Sequence, residues 1–310
     1  MTAIRETKKA ELPKKKAGMR MTLSERLFTW ATYALVTLFA AFCFIPFWIM
    51  VINSFATESA ILKNGFSLFP AEFSLFSYEF LFANTRIGSS YIISITVTAV
   101  STFLAVCVSS MFGYAISNRK MRYGNVLSFL TYFTMIFGSG IVGFYILVVN
   151  WLHLKDSLLA LILPYLMNPF YVFVLISFFR DIPYELNEAA TIDGANDALI
   201  FFRIILPVAK PAIATITLFF ALQYWNDFYL ALLFIDDYKM YPLQILIRML
   251  ISNMNASRFI QGSQTNYNII VPTYGVQLAT VCVTIGPIIL LYPWLQKHFV
   301  KGLTIGAVKG

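Results

Sequence analysis

Charge, cysteine and histidine are all scarce in this sequence. Charged residues make up 12% of 310, half the share of about 25% usual for soluble domains. The three cysteines, Cys43, Cys107 and Cys282, lie singly inside apolar runs, so neither a disulfide framework nor a metal-ligand spacing is available. His153 and His298 are the only histidines and have no cysteine near them, which argues against a metal site and against a Ser-His-Asp or Cys-His arrangement. No Gly-rich phosphate loop of the Walker type occurs, so the chain alone is expected to hydrolyse nothing. A membrane enzyme or scaffold would need polar catalytic clusters or a large soluble domain, and the sequence has neither.

What it does have is apolar surface. Hydrophobic residues make up 59% and the mean hydropathy is +0.72. The net charge of +8 could suggest nucleic acid, but Lys and Arg gather at the ends of apolar runs, as in a membrane protein. Residues 1–26 hold eight Lys or Arg and read as a basic, solvated tail. The run that follows is too long for a signal-peptide core. Six runs are long enough to cross the roughly 30 Å hydrocarbon core: residues 27–52, 88–117, 126–149, 158–179, 212–235 and 273–296. The fold class expected is therefore an all-α membrane protein with six transmembrane helices. Phe66, Phe69, Phe73, Phe76, Tyr78, Phe80 and Phe82 suit an interfacial belt. Ser94, Thr98, Ser101, Thr102, Ala105 and Ser109 form a small-residue stripe fit for close helix packing. Gly138, Ser139, Gly140 and Gly143 suit packing or a bend, and a second bend is expected at Asn168-Pro169. With both termini inside, the inner segments carry 17 Lys or Arg and the outer segments six, so the positive-inside rule places both termini and residues 181–211 in the cytoplasm.

Residues 181–211 are the polar centre of the chain. Pro183 can open a helix, Leu186, Ala189 and Ala190 fall on one helical face, and Gly194 can end it in a left-handed conformation. Glu188 then stands late in that helix, against the dipole preference, as if kept for a partner. A second short helix carries Ala198, Phe201, Phe202 and Ile205.

The spacing of Glu188-Ala189-Ala190, Gly194, Ile204, Leu206 and Pro207 resembles the EAA loop of ABC importer permeases. That family's loop is cytoplasmic and docks its first helix into a groove of the ATP-hydrolysing subunit. The resemblance implies that Glu188, Ala189, Ala190, Asp193, Gly194, Ile204, Leu206 and Pro207 couple this chain to an ATPase. Three further stretches are similar to the carbohydrate-type permeases: Pro46-Phe47-Trp48-Ile49-Met50 through Ser54-Phe55, then Trp225-Asn226-Asp227-Phe228, and the tail Lys301-Gly302-Leu303-Thr304 with Gly306-Ala307-Val308-Lys309-Gly310, which looks like that of the maltose-type subunit. On this resemblance residues 27–310 form a transmembrane domain, with a coupling loop at 181–211 and an outward loop at 236–272 placed to meet a binding protein. The implied partners are a second permease subunit, two ATPase subunits carrying ATP and Mg, an extracytoplasmic solute-binding protein, a sugar and membrane lipid. No cofactor is expected on this chain and no nucleic acid. The implied location is the bacterial cytoplasmic membrane.

Asp227 is the one ionisable residue inside a span, about 22–24 Å above the cytoplasmic start of the fifth. On a continuous helix it shares a stripe with Gln223 and Asn226, and the sixth span offers Gln277, Thr280 and Thr284. Groups of this kind are costly in hydrocarbon and face a protein interface or a watery path. Lining the route of a hydroxyl-rich solute and hydrogen bonding between helices both fit, and an ion-coupled transporter using Asp227 is a further alternative. Tyr224 and Trp225 could stack on a sugar ring or stand in an aromatic belt. The topology is directly testable. Single cysteines at Ser157 and Asn255 are expected to react with an impermeant thiol reagent from outside, and one at Asn196 is not; outside labelling at Asn196 would reverse the orientation.

Overall fold

The computed structural model describes residues 22–70, 72–83, 85–261, 274–287 and 289. Most of the basic tail, the end of the outward loop and the terminal Gly306–Gly310 motif lie outside them. The described elements are helical, and their contacts divide the chain into residues 1–50 and 51–310.

Helix α1 (Leu23–Asn53) contains Pro46, and its apolar side chains from Leu27 to Phe44 are exposed. Within the larger unit, α2 (Glu58–Asn64) is capped by Thr57, whose hydroxyl accepts from the Ala60 amide. Helix α3 (Phe76–Ala83) carries the second half of the Phe-rich stretch. Phe66, Phe69, Phe73, Phe76, Phe80 and Phe82 are all exposed, as an interfacial belt requires. Helix α4 (Thr85–Ser117) is unbroken, and its small-residue stripe is the packing face: Ser94, Ser101, Thr102, Ala105 and Ser109 are buried.

The third apolar run is not one helix. Helix α5 (Gly124–Ile136) and α6 (Gly140–Ile146), continued by a π turn at Leu147–Trp151, meet at 115°. Gly140 makes the corner at φ +69°, a conformation that a residue with a Cβ resists. The fourth run breaks where expected. A short α7 (Leu159–Ile162) leads through a 3-10 turn into α8 (Pro169–Asp181), a bend of 48°. Asn168 caps α8 by accepting from the Phe170 amide at 3.0 Å, with Pro169 at the first helical position, where its missing N–H costs nothing.

After the polar loop, which holds α9 (Glu185–Ile192), α10 (Asp197–Ile200) and α11 (Leu206–Val208), α12 (Lys210–Asn226) crosses the core. It stops short of the expected end of the fifth span, and α13 (Tyr229–Phe234) follows a break at Asp227-Phe228. The stretch expected as a polar outward loop contains a helix, α14 (Leu243–Gln261). Its buried Leu243, Ile245, Leu246 and Ile247 bring apolar surface inward, and the Leu243 amide donates to Ser94 Oγ at 2.7 Å. Helix α15 covers residues 274–287. Its first amides are capped by Glu58, whose carboxylate accepts from Tyr274 N and Gly275 N at 3.0–3.1 Å. Among the described residues two helices, α1 and α4, are long and apolar enough to cross a membrane unaided, and counting each bent pair as one span gives up to five. The second half of the expected sixth span lies outside the described residues.

The core runs along α4, α8 and α12. Gly113 lets α4 and α8 touch, since a Cβ there would stand 3.3 Å from Leu175 Cβ. Away from this core, the Asp156 carboxylate accepts from the Asp236 and Asp237 amides at 2.6 and 3.0 Å. Those bonds, that of Asp237 first, hold its carboxyl below the usual range. The neighbouring Lys155 pairs with Asp236 at 2.6 Å.

Candidate functional site

The loop from Asp181 to Pro211 is two short helices hung on a glycine corner. Pro183 lies just before α9, where its carbonyl accepts from the Leu186 amide at 3.3 Å, so the helix opens two residues later than the sequence predicts. That shift moves Glu188 into the first turn beside Glu185. Its charge suits the positive end of the helix dipole, worth about 0.3–1 kcal/mol, and the expectation of a late, dipole-opposed Glu188 is corrected. At the other end the Ala195 amide bonds the Ala190 carbonyl at 2.9 Å, across Gly194 at φ +81°. Asn196 then starts the second helix by accepting from the Leu199 amide at 2.8 Å. A π turn at Phe201–Ile205 joins α10 to α11, and the chain turns by 85° into α12.

The loop has two faces with different partners. Inward, Ala190, Ile200, Phe201, Ile205 and Ala209 join one buried cluster with Tyr114, Leu175 and Phe179. The Tyr114 hydroxyl meets Asn187 Oδ1 at 3.2 Å, and the rings of Tyr114 and Phe201 lie 5.1 Å apart. Outward, Leu186, Glu188, Ala189, Asp193 and Gly194 are exposed, and Ile192 is 86% exposed. The residues expected to act together are thus divided. Ala189 faces out while Ala190 is packed against the chain's own spans, Ile204 and Leu206 are half-buried, and Pro207 is exposed. Sequence reasoning missed Tyr114 and Asn187, which tie α9 to α4, and it missed Ile192. A large apolar side chain three residues after Ala189 on a polar helix was a readable signal.

The second candidate region is not the continuous polar stripe expected. Helix α12 ends at Asn226, and Asp227 turns its carboxylate onto the Leu230 amide at 3.2 Å, capping α13. Asn226 is exposed and donates to the Leu222 carbonyl at 2.9 Å. Tyr224 and Trp225 are buried rather than belt residues. The Tyr224 hydroxyl donates to the Ile162 carbonyl at 2.9 Å, and Trp225 Nε1 donates to the Thr284 carbonyl at 3.3 Å. Thr280 and Thr284 are buried and linked to each other at 2.8 Å, and Gln277 is half-buried. The structure therefore joins Trp225 to the Thr280–Thr284 turn and separates Asp227 from Gln223. Gln223 Oε1 is buried without a hydrogen-bond partner among the described residues, as are the Thr98 and Thr102 hydroxyls. Thr98 and Thr102 of α4 line a groove of about 670 Å³ with Thr217, Trp225 and Pro287.

Residues 105–305, which include the whole polar loop, match the family of binding-protein-dependent transport system inner membrane components. The chain belongs to that family. It is 39% identical to the polygalacturonan/rhamnogalacturonan transport system permease protein YtcP of Bacillus subtilis, over 93% of this chain and 100% of that one. It is 29% identical to the melibiose/raffinose/stachyose import permease protein MelC of the same organism, over 89% and 96% of the two chains. A bacterial ABC transporter involved in import of the acidic polysaccharide alginate has a solved chain that superposes with a TM-score of 0.79 and 26% identity, covering 90% of this chain and 99% of that one.

For an inner membrane component, the geometry predicts what substitutions in this loop do. A Cβ at Gly194 would meet only open space, so the penalty for Gly194→Val is conformational, roughly 1–2 kcal/mol, and it redirects α10. Gly194→Val and Glu188→Lys are expected to insert normally yet recover less ATPase per permease on co-purification, or recover it without substrate-stimulated hydrolysis. Normal recovery and normal stimulation in both variants would remove the loop from coupling.

Proposed function

We propose that this chain is the permease subunit of an ATP-driven importer that carries an oligosaccharide across the bacterial cytoplasmic membrane by alternating access. It crosses the membrane six times with both termini cytoplasmic, and works with a second permease subunit, two ATPase subunits that bind ATP and Mg, and an extracytoplasmic binding protein. The observation that carries this reading is the two-faced α9: an exposed surface of Leu186, Ala189 and Ile192 on a helix whose other side is packed into the spans. A partner that grips the outer face moves α9, and the Ala190, Phe201 and Tyr114 contacts pass that displacement to α4, α8 and α12. Packed interfaces of this kind respond by shifting between discrete arrangements rather than by deforming smoothly.

The related permeases are named for saccharides that differ in charge and linkage, so hydroxyl-rich rings are the shared chemistry. The unpartnered Gln223 Oε1 and the Thr98 and Thr102 hydroxyls supply polar atoms for such a solute near the α4–α12 groove, while Gln277 and the Thr280–Thr284 turn belong to the neighbouring helix. Relatives that are named as permeases of saccharide transport systems, with an ABC transporter among the solved structures, favour an ATP-driven importer over an ion-coupled transporter using Asp227.

The reading is tested by gentle purification of the tagged chain followed by reconstitution of what accompanies it. A second permease and ATPase subunits are expected to co-purify, and uptake of labelled oligosaccharide is expected to need ATP and the binding protein. Uptake by this chain without ATPases, driven by an imposed proton gradient, would overturn it.

A further inference from the structure

Where α4 ends and α9 begins, a cleft of about 380 Å³ is lined by Arg119, Arg122 and Arg180 together with Asn118, Asn125 and Asn187. Among the described residues, no aspartate or glutamate lines it. The ion pair found among the described residues is Lys155–Asp236, neither of which lines the cleft, so among the described residues none of its three arginines has a carboxylate at ion-pair distance. Arg119 stacks over the Tyr184 ring at 5.2 Å and Arg122 over Tyr123 at 5.8 Å. Stacking uses the face of a guanidinium and leaves its N–H groups for an oxyanion. Like charges gathered in one cleft are costly until an anion enters.

The walls suggest which anion. Gly124 and Asn125 line the cleft at the start of α5. Immediately beyond them Val126, Phe129, Leu130 and Phe133 stand exposed, at positions that share one helical face. A basic cleft continuous with an exposed apolar helix face fits a molecule with a phosphate head and hydrocarbon tails. A soluble anion or a partner's carboxylate would make no use of the apolar face. Basic pockets between membrane helices on the cytoplasmic side are suited to lipid headgroups.

We propose that this cleft binds the headgroup of an anionic phospholipid of the cytoplasmic leaflet, with its acyl chains along α5. The proposal rests on the cytoplasmic placement of residues 118–125 and 181–211. Because Tyr184 and Asn187 form part of the wall, the bound headgroup braces α9 against the ends of α4 and α8, so lipid charge tunes how firmly the loop is held.

The test uses the intact purified importer, stripped of lipid and incubated with vesicles of phosphatidylcholine with or without phosphatidylglycerol, and counts the phosphatidylglycerol retained by native mass spectrometry. Arg119→Gln, Arg122→Gln and Arg180→Gln are each expected to weaken retention about fivefold, and the triple variant about a hundredfold. Arg203→Gln, outside the cleft, is expected to change nothing, and inorganic phosphate is expected not to displace the lipid. Substrate-stimulated hydrolysis is expected to rise with phosphatidylglycerol in the parent complex and not in the variants. The single variants keep the test open if the triple does not assemble. Unchanged retention in all variants, displacement by inorganic phosphate, or loss of lipid whenever ATPase subunits are docked would each overturn the proposal. A cysteine at Asn125 labelled from outside would instead overturn the orientation, while retention in the vesicle assay would stand.

Discussion

Inside a bilayer, helices gain nothing by hiding apolar surface from lipid, so their association depends on how closely their backbones approach. In this protein that constraint falls on α4. Its Ser94, Ser101, Thr102, Ala105 and Ser109 are buried, and Gly113 leaves room for Leu175 where a Cβ would stand 3.3 Å away, so α8 and α12 both lie against one narrow face. The polar loop joins the ends of those two helices. It inherits their rigidity because Ala190, Phe201 and Ile205 enter the same cluster as Ala105, Leu175 and Phe220. Without that close packing the loop would be a tether; with it, the loop can act as the lever proposed above.

The lever has its own local logic. Eight residues of α9 are too few to be stable alone, since short isolated helices are marginal in water. The helix persists because acidic residues occupy its first turn, Gly194 closes it, Asn187 ties it to Tyr114, and Ala190 is small enough to seat against the core. The same economy leaves the opposite face free of structural duty. Leu186 and Ile192 remain exposed, open to the partner proposed above. The arginine cleft lies beside this arrangement, against the inner wall of the same helix, so two distinct surfaces bear on one short element.

Much of this was legible in the sequence where a single residue type dictates geometry. The Asn168-Pro169 bend, the left-handed Gly194, the small face of α4 and the family resemblance all follow from residues with few alternatives. The misses share a cause. Apolar runs report burial but not continuity, so residues 126–149 read as one span in which Gly138–Gly143 left packing and a bend equally open, although Gly140 turns the chain by 115°, and residues 212–235 read as one helix although Asp227 caps a new one. Asparagines beyond residue 252 mask the apolar stretch from Leu243 to Ile247, whose burial makes the start of the outward segment part of the core. Glu188 reads as late in its helix only if Pro183 opens that helix, and Pro183 instead precedes it. Tyr114 and Asn187 are 73 positions apart, and nothing local announces a contact of that range.

The division of the loop into a gripping face and a transmitting face is the central claim, and paired substitution separates the two most directly. Ile192→Asp alters only an exposed side chain, while Ala190→Leu overpacks the buried side by about 1–3 kcal/mol. In reconstituted importer, ATPase recovered per permease and sugar moved per ATP hydrolysed are measured together. The account predicts that Ile192→Asp loses ATPase subunits, whereas Ala190→Leu keeps them and moves less sugar per ATP. Loss of ATPase in Ala190→Leu with full recovery and coupling in Ile192→Asp would contradict it.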